Sequence, residues 1–517
     1  MKIDGSKIQR VLLCSFLISI SWCISNFSAG KGDTTSAIDF EKAFTSDVGD
    51  SVLAVVGNKK ITIREFLAGY EFGPAFVKRK EDSKSRYLKY MIDEKLLALD
   101  GYKRGFADSS RVKELLAAIR GDLATTELFK AEIFNKIKIS QSEINKALAE
   151  KQFTYQVKWL YFPQEQAIEY YSTQLRKGVV FDSLFQMQLK DSVYADQRSM
   201  KINKFKLRMQ NQAMYNIIDT MKAGEISNPV KGPDGWYIVK LIDIWKNMIE
   251  TQTEIAKEKD DAVDAIKLNK SDKISDTYVR QMMLANNPVI QARAFDILRS
   301  YLGKSVLKDE KYKSWKLDDR MQKELDHFNT LDPKLFSNMS LVQLSNGTVS
   351  LDDFLNWYRL RDGFLKFEET DFNSFSASLE KLIWQMVRDH LLVQHAYAQG
   401  FQNKEIVKQQ SKWWEDKIIY AVVRDELANA VGLNVEDPAF LKSKYDNQKQ
   451  KLVERTFRKI QQLKKVYKVW INEKTLKEIK VNDSDNPRTI DTYFVKKGGT
   501  FPHPAFPSID YSWQILE

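Results

Sequence analysis

Few side chains in this sequence are equipped for covalent, acid–base or metal chemistry. The only two cysteines, Cys14 and Cys23, stand in the first 24 residues. The four histidines are His327, His390, His395 and His503, so none lies between residues 155 and 245. No G-x-x-x-x-G-K-[ST] run and no His/Asp/Glu cluster at ligand spacing is evident, so no nucleotide, metal or other cofactor is expected. What remains is binding chemistry, carried by a 12% aromatic content and 13 methionines.

The compartment follows from the first residues. Lys2, Lys7 and Arg10 precede an apolar stretch, Val11 to Ile24, and the small residues Ser25, Ser28, Ala29 and Gly30. This is the layout of a secretory leader, expected over 1–30 and cleaved, with an uncleaved membrane anchor as the alternative. Both cysteines leave with it, which excludes disulfides and thiol chemistry from the exported chain. The expected location is the periplasm.

Net charge is +11, and residues 441–480 alone hold thirteen Lys/Arg against four Asp/Glu. Export makes nucleic acid an unsuitable partner. The local surplus suits an acidic segment or, weakly, an anionic membrane surface.

The elements that must position any binding residues include an internal repeat. Val52 to Val56 reads as a strand, Gly57-Asn58-Lys59 as a turn, and Thr62-Ile63-Arg64-Glu65 as a capping box opening a helix. Leu341 to Leu344, Asn346-Gly347 and Ser350-Leu351-Asp352-Asp353 have the same pattern. Downstream, Met91, Leu96, Leu97, Tyr102, Gly105 and Phe106 match Met386, Leu391, Leu392, Tyr397, Gly400 and Phe401 at one offset (386 − 91 = 295). Gly105 and Gly400 are predicted to end each long helix in the left-handed conformation. Ser140-Gln141-Ser142-Glu143 is a further capping box.

The first copy, Val55-Val56-Gly57-Asn58-Lys59-Lys60-Ile61-Thr62-Ile63-Arg64-Glu65-Phe66, resembles the N-terminal module of SurA-type foldases. Between the copies, Gly224-Glu225-Ile226-Ser227-Asn228-Pro229-Val230 and Gly235-Trp236-Tyr237-Ile238-Val239-Lys240-Leu241 resemble the C-terminal half of the parvulin (PpiC-type) prolyl isomerases. Together the chain is similar to the SurA/PrsA/PpiD class. The resemblance implies a multi-domain, mainly α fold, with two SurA-N-like helical modules flanking a small α+β parvulin-like domain with an antiparallel sheet. It also places Trp159 and Tyr237 where the isomerases carry histidine, and Met214 at their pocket phenylalanine, with Leu207 and Met209 nearby. Trp159, Leu207, Met209, Met214 and Tyr237 are therefore the candidate peptide-binding residues, and no catalytic residue is assigned.

The expected division is a leader, 1–30; a linker, 31–50; a first module, 51–152; the parvulin-like domain, 153–247; a charged helical connector, 248–334; a second module with a basic amphipathic helix, 335–480; and an extended Pro/aromatic tail, 481–517. The connector is expected to be exposed where it is charged, Glu250 to Asp276, and then to return onto the first module through Ala292, Phe295, Leu298 and Leu302. The stripe Val453, Phe457, Ile460, Leu463, Tyr467 and Trp470 is expected to pack on the second repeat. For the tail, a strap over apolar surface and a disordered segment both stay open.

The function expected is ATP-independent chaperoning of unfolded or nascent exported chains, outer-membrane proteins among them, with the outer-membrane assembly machinery as a possible partner. A working isomerase with an altered site and an envelope scaffold protein are the alternatives.

Overall fold

The computed structural model describes residues 38–73, 82–189, 198–232, 235–247, 251–317, 319, 338–361, 365–433, 446–481, 507 and 509. The expected leader lies outside them, as does the tail apart from its first residue, 507 and 509. Helices dominate, with three small antiparallel sheets. The described residues form two compact units, one of residues up to Asn135 and from Ile274 onward, the other Lys136–Lys273.

In the larger unit, the described structure includes residues before the expected module. Asp39 accepts from the Lys42 amide at 2.9 Å and caps α1 (Phe40–Thr45), whose Ala43 is fully buried. Arg64 Nε donates to the Ala43 carbonyl at 2.9 Å. The expected linker is thus folded from Ile38 on, because its aromatic residues have a surface to cover: Phe40 and Phe44 stack at 4.4 Å and join the core. Strands β1 (Val52–Val56) and β2 (Lys59–Thr62) make a hairpin turned at Gly57, whose φ of 59° suits glycine. Thr62 then accepts from the Glu65 amide and opens α2 (Ile63–Glu71). Two long helices follow, α3 (Ser83–Lys103) and α4 (Ser110–Glu132), separated by Gly105 at φ 77°.

The second unit starts earlier than expected. Helix α5 (Gln141–Lys151), closed by the Ser140/Glu143 capping box, packs on the α+β elements instead of ending the first module. The reason is polar: buried Glu150 accepts from Arg208 Nε at 2.7 Å and from the Tyr215 hydroxyl at 2.9 Å. The boundary expected at 152/153 therefore moves to 135/136. Strand β3 (Phe153–Phe162), helices α6 (Glu165–Arg176) and α7 (Phe181–Gln188), strand β4 (Ser199–Asn203), helices α8 (Lys204–Gln210) and α9 (Gln212–Ile218), and strands β5 (Val230–Lys231) and β6 (Trp236–Lys246) complete it. The sheet order is β4-β3-β6-β5. Leu160, Phe162 and Ile238 pack on Ile168, Phe181, Leu184 and Phe185 on one face; Val157, Val239 and Leu241 pack on Leu207, Met214 and Ile218 on the other. Helix α10 (Gln252–Asn286) belongs to this unit up to Lys273. It is not the exposed charged connector expected, since Ala262 and Ile266 are buried with Ala147 and Phe205.

Glu143 supplies a test of the cap. Lys270 Nζ at 2.7 Å, with the Ser140 amide, holds its carboxyl down at about pKa 2. A depressed carboxylate contributes stability that is present above its unfolded value and lost as pH falls through the folded one. We expect Glu143 to titrate near pH 2 by NMR in the full chain and to move up by at least half a unit in Lys270→Met. An unmoved value would refute the pairing.

After α10 come β7 (Val289–Ile290), α11 (Ala292–Val306) and α12 (Asp309–Ser314), and the expected second copy then consists of β8 (Ser340–Leu344), β9 (Gly347–Ser350), α13 (Leu351–Arg359), α14 (Phe372–Ala398) and α15 (Glu405–Asn429). The pair β8, β9 and α13 reproduces β1, β2 and α2 in length, and both hairpins carry an irregularity at equivalent places, Val52/Ala54 and Ser340/Val342. The last elements among the described residues are α16 (Asp446–Val466), β10 (Val469–Ile471) and α17 (Glu473–Glu478).

The structure reverses two expected pairings. The segment after α10 does not return to the first repeat; β7 adds to β8, with Ile290 opposite Val342. The basic helix α16 does not serve the second repeat's sheet; β10 adds to β1, with Ile471 opposite Ala54, and Leu452, Ile460 and Leu463 sit in the first repeat's core. Each repeat is thus completed by a helix–strand–helix segment from elsewhere in the chain. Phe457 and Trp470 of the expected stripe are exposed.

The third helices are exchanged as well. Helix α3 packs chiefly on α15, and α14 on α4. Close approach makes this possible: a Cβ on Gly101 would overlap the Ile419 Cγ2 methyl, and one on Gly121 would stand 3.1 Å from Val393.

Candidate functional site

The pairing of β3 with β6 fixes the geometry of the candidate residues. Trp159 lies opposite Val239, and Tyr161 opposite Tyr237. Side chains alternate along a strand, so Trp159, Tyr161 and Tyr237 share one face, with Trp159 and Tyr237 diagonal neighbours. Trp159, Tyr237, Leu207 and Met214 belong to one apolar cluster. Four of the five candidate residues are therefore brought together. Met209 is not: it packs with Phe205, Ala147, Ala262 and Ile266, because α8 turns it toward α5 and α10.

Within the four there is a division of labour. Leu207 is fully buried and Met214 is 6% exposed, so they support the sheet from below and are not open to a ligand. Trp159 and Tyr237 are only partly buried. Beside them is Tyr161, which the sequence reading did not single out; its ring lies 5.3 Å from that of Tyr237 at 54°. Arg198 covers Tyr161 at 4.8 Å. Tyr237 is held from the other side by Gly232, where a Cβ would stand 2.6 Å from its ring. The signal for Tyr161 was present, since strand alternation from Trp159 places it on the same face.

The chemistry this face offers is that of contact: large amphipathic rings, one cation and no imidazole. Acid–base groups of the unit sit elsewhere. On the opposite face Asp182 is held below the usual carboxylate range, first by the Lys240 ammonium at 2.7 Å and then by Lys158 at 3.3 Å. Beneath the ring cluster, Asp219 is also held low: burial alone would raise it, but its ion pair with Lys204 outweighs that, with Tyr215 and Tyr155 as further hydrogen-bond partners. Both carboxylates are paired, so neither is a poised proton carrier.

A second concentration of chemistry lies in the larger unit, and sequence reasoning missed it. Lys95 Nζ bonds Glu65 at 2.7 Å and Asp416 at 2.6 Å, and Asp416 also receives Lys59 at 2.9 Å and the Tyr102 hydroxyl at 2.8 Å. Burial raises the Glu65 carboxyl despite Lys95, and it would raise Asp416 too, but Lys95 and Lys59 hold the latter below its usual value. The only sequence signal was a lysine inside the apolar stripe of α3. It also explains why the first capping box is half made: the Glu65 carboxylate goes to Lys95, whereas Asp353, facing His390 instead of a lysine, bonds the Ser350 amide at 2.8 Å.

Among the described residues, no group of three or more His, Cys, Asp or Glu is placed to hold a metal, and no helix is long and apolar enough to cross a membrane. Of the histidines, His390 and His395 lie on α14, where His395 Nδ1 meets the Tyr278 hydroxyl at 3.2 Å. His327 and His503 are outside the described residues.

No family model matches the chain, and no curated protein matches it. Solved structures do. They include PrsA from Bacillus subtilis, 17% identical over 46% of this chain and 94% of that one, with a TM-score of 0.16. The foldase PrsA of Streptococcus pneumoniae is 11% identical over 44% and 91%, with a TM-score of 0.22. A structure from the Campylobacter jejuni SurA-like chaperones PEB4 and Cj1289 is 18% identical over 45% and 97%, with a TM-score of 0.19. The solved structures similar to this chain thus include PrsA foldases and a SurA-like chaperone, at TM-scores too low to carry an argument about arrangement or activity.

Proposed function

We propose that this protein is an ATP-independent chaperone of the periplasm that holds unfolded exported polypeptides, outer-membrane proteins among them, through its helical modules and a parvulin-like unit without isomerase chemistry. The observation that carries this reading is the half-buried Trp159–Tyr161–Tyr237 face, built over Leu207 and Met214 in a unit whose sequence has no histidine. Twisting an X-Pro amide faces a barrier of about 18–20 kcal/mol and needs placed polar groups, whereas an aromatic face needs only apolar peptide. The basic side of α16, with Lys451, Arg455, Arg458 and Lys465 exposed, and Lys468 just beyond it, supports a salt-sensitive contact with acidic client segments or an anionic surface. The outer-membrane assembly machinery is a candidate partner through the resemblance to SurA-type foldases.

The test is suppression of aggregation of several unrelated denatured proteins at near-stoichiometric chaperone. The full chain is expected to protect them, and Trp159→Ala/Tyr237→Ala to lose at least half of that protection while keeping its circular dichroism. Turnover of a proline-containing tetrapeptide that Trp159→Ala or Tyr237→Phe abolishes would instead establish an isomerase. Protection confined to one partner would establish a scaffold.

A further inference from the structure

The tail re-enters the described structure at Pro507 and Ile509, and the place is specific. Ile509 is 2% exposed, in the core of the first repeat. Both residues line a cleft between α2, α3 and α15. Its apolar wall is Ala68, Gly69, Tyr87, Met91 and Trp413. Gly69 matters because a Cβ there would stand 3.3 Å from the Tyr87 hydroxyl, narrowing the cleft. That hydroxyl donates to the Gly69 carbonyl and is in turn hydrogen-bonded to the Ile509 backbone.

The other wall is charged yet neutral in sum. Lys95 is shared by Glu65 and Asp416, Lys59 completes Asp416, and Lys417 pairs with Glu94 at 2.8 Å. A wall of satisfied ion pairs offers no free charge to a ligand, so the occupant it favours is uncharged and apolar. About 40 Å³ of space remains beside Pro507 and Ile509, room for little more than water, so these two residues all but fill the cleft and a segment of like chemistry needs their place. The sequence around the two residues, Phe501-Pro502-His503-Pro504-Ala505-Phe506-Pro507-Ser508-Ile509, is rich in proline, which presets an extended backbone and lowers the entropy lost on docking into an aromatic-lined groove.

We propose that this cleft is a second peptide site, for extended proline-containing apolar segments, and that the protein's own tail occupies it through Pro507 and Ile509. The site is separate from the Trp159 face and deepens the peptide-holding reading without depending on it. A segment of like chemistry enters only by displacing the tail, so the tail sets the threshold that a client must exceed.

The test uses the full chain and a fluorescein-labelled peptide with the sequence of residues 501–513, read by fluorescence anisotropy. Ile509→Asp places a charge against the neutral wall and is expected to bind the peptide at least ten-fold more tightly than the unsubstituted chain. Met91→Asp in the Ile509→Asp background is expected to abolish that gain. Equal affinity for the two chains, no binding to Ile509→Asp, or binding that survives Met91→Asp overturns the proposal. Should Ile509→Asp fail to fold by circular dichroism, Ile509→Ala is read in the same assay against the same criteria. Client protection is measured separately, so a chain that protects clients but ignores the peptide refutes the cleft alone.

Discussion

Lys95→Met is expected to destabilise the larger unit by about 3–5 kcal/mol, the cost of leaving buried carboxylates without their cation. Lys95, Glu65 and Asp416 have side-chain exposures of 7%, 9% and 9%, so solvent does little to screen what remains. Lys59 compensates only Asp416. Urea denaturation followed by circular dichroism should show a lower midpoint with an unchanged slope. A loss under about 1 kcal/mol would mean that the network is wet and the burial argument wrong. Replacing Glu65, Lys95 and Asp416 together by apolar residues of similar volume should recover most of the loss, because the desolvation cost disappears with the charges. The pH signs follow from the shifts. Asp416, depressed, contributes stability above its unfolded value that is lost on acidification; Glu65, raised, opposes it by favouring the protonated folded state; Lys95, raised, contributes at neutral pH and is lost only at strongly alkaline pH.

Asp122→Ala is the second large effect, at about 3–5 kcal/mol, and it tests the exchange of helices from the other side. Asp122, on α4 of the first repeat, accepts from Arg361 just beyond α13 of the second at 2.8 and 3.0 Å, with side-chain exposures of 5% and 7%. Arg361 also lies 3.8 Å from Asp389, which binds Arg388 and the Trp357 indole. Removing Asp122 leaves a buried guanidinium short of its closest partner. The diagnostic feature is cooperativity. Because α15 serves the first core and α4 both, with Val112, Leu115 and Leu123 in the first and Ala124 and Leu128 in the second, the substitution should lower the unfolding of both repeats in one transition, read by hydrogen exchange in α3 and α14 together. Loss confined to α14 would show that the repeats are independent and that the exchange of helices couples nothing.

The prospect of a held client rests on different elements from those that give stability. The aromatic face lies on one sheet of the smaller unit, while the buried ion networks lie among the helices of the larger one. Substitutions at Trp159 or Tyr237 are therefore expected to change holding with little change in the larger unit's unfolding. Substitutions at Lys95 or Asp122 are expected to do the reverse.

Local rules in the sequence determined every element whose cause is short-ranged. The two hairpins, the helix starts at Thr62, Ser140 and Ser350, and the left-handed stops at Gly105 and Gly400 all follow from residues within a few positions of one another. The same holds for the shared face of Trp159 and Tyr237, which strand alternation and pairing dictate. Tertiary structure alone decided which helix serves which repeat. Strands β7 and β10 are two and three residues long and carry no period, and nothing in α4 or α15 names its partner. Both repeats present similar apolar surfaces, so periodicity cannot tell one from the other; the choice was made by small residues at the crossings and by lone buried charges that each require one opposite charge at one distance.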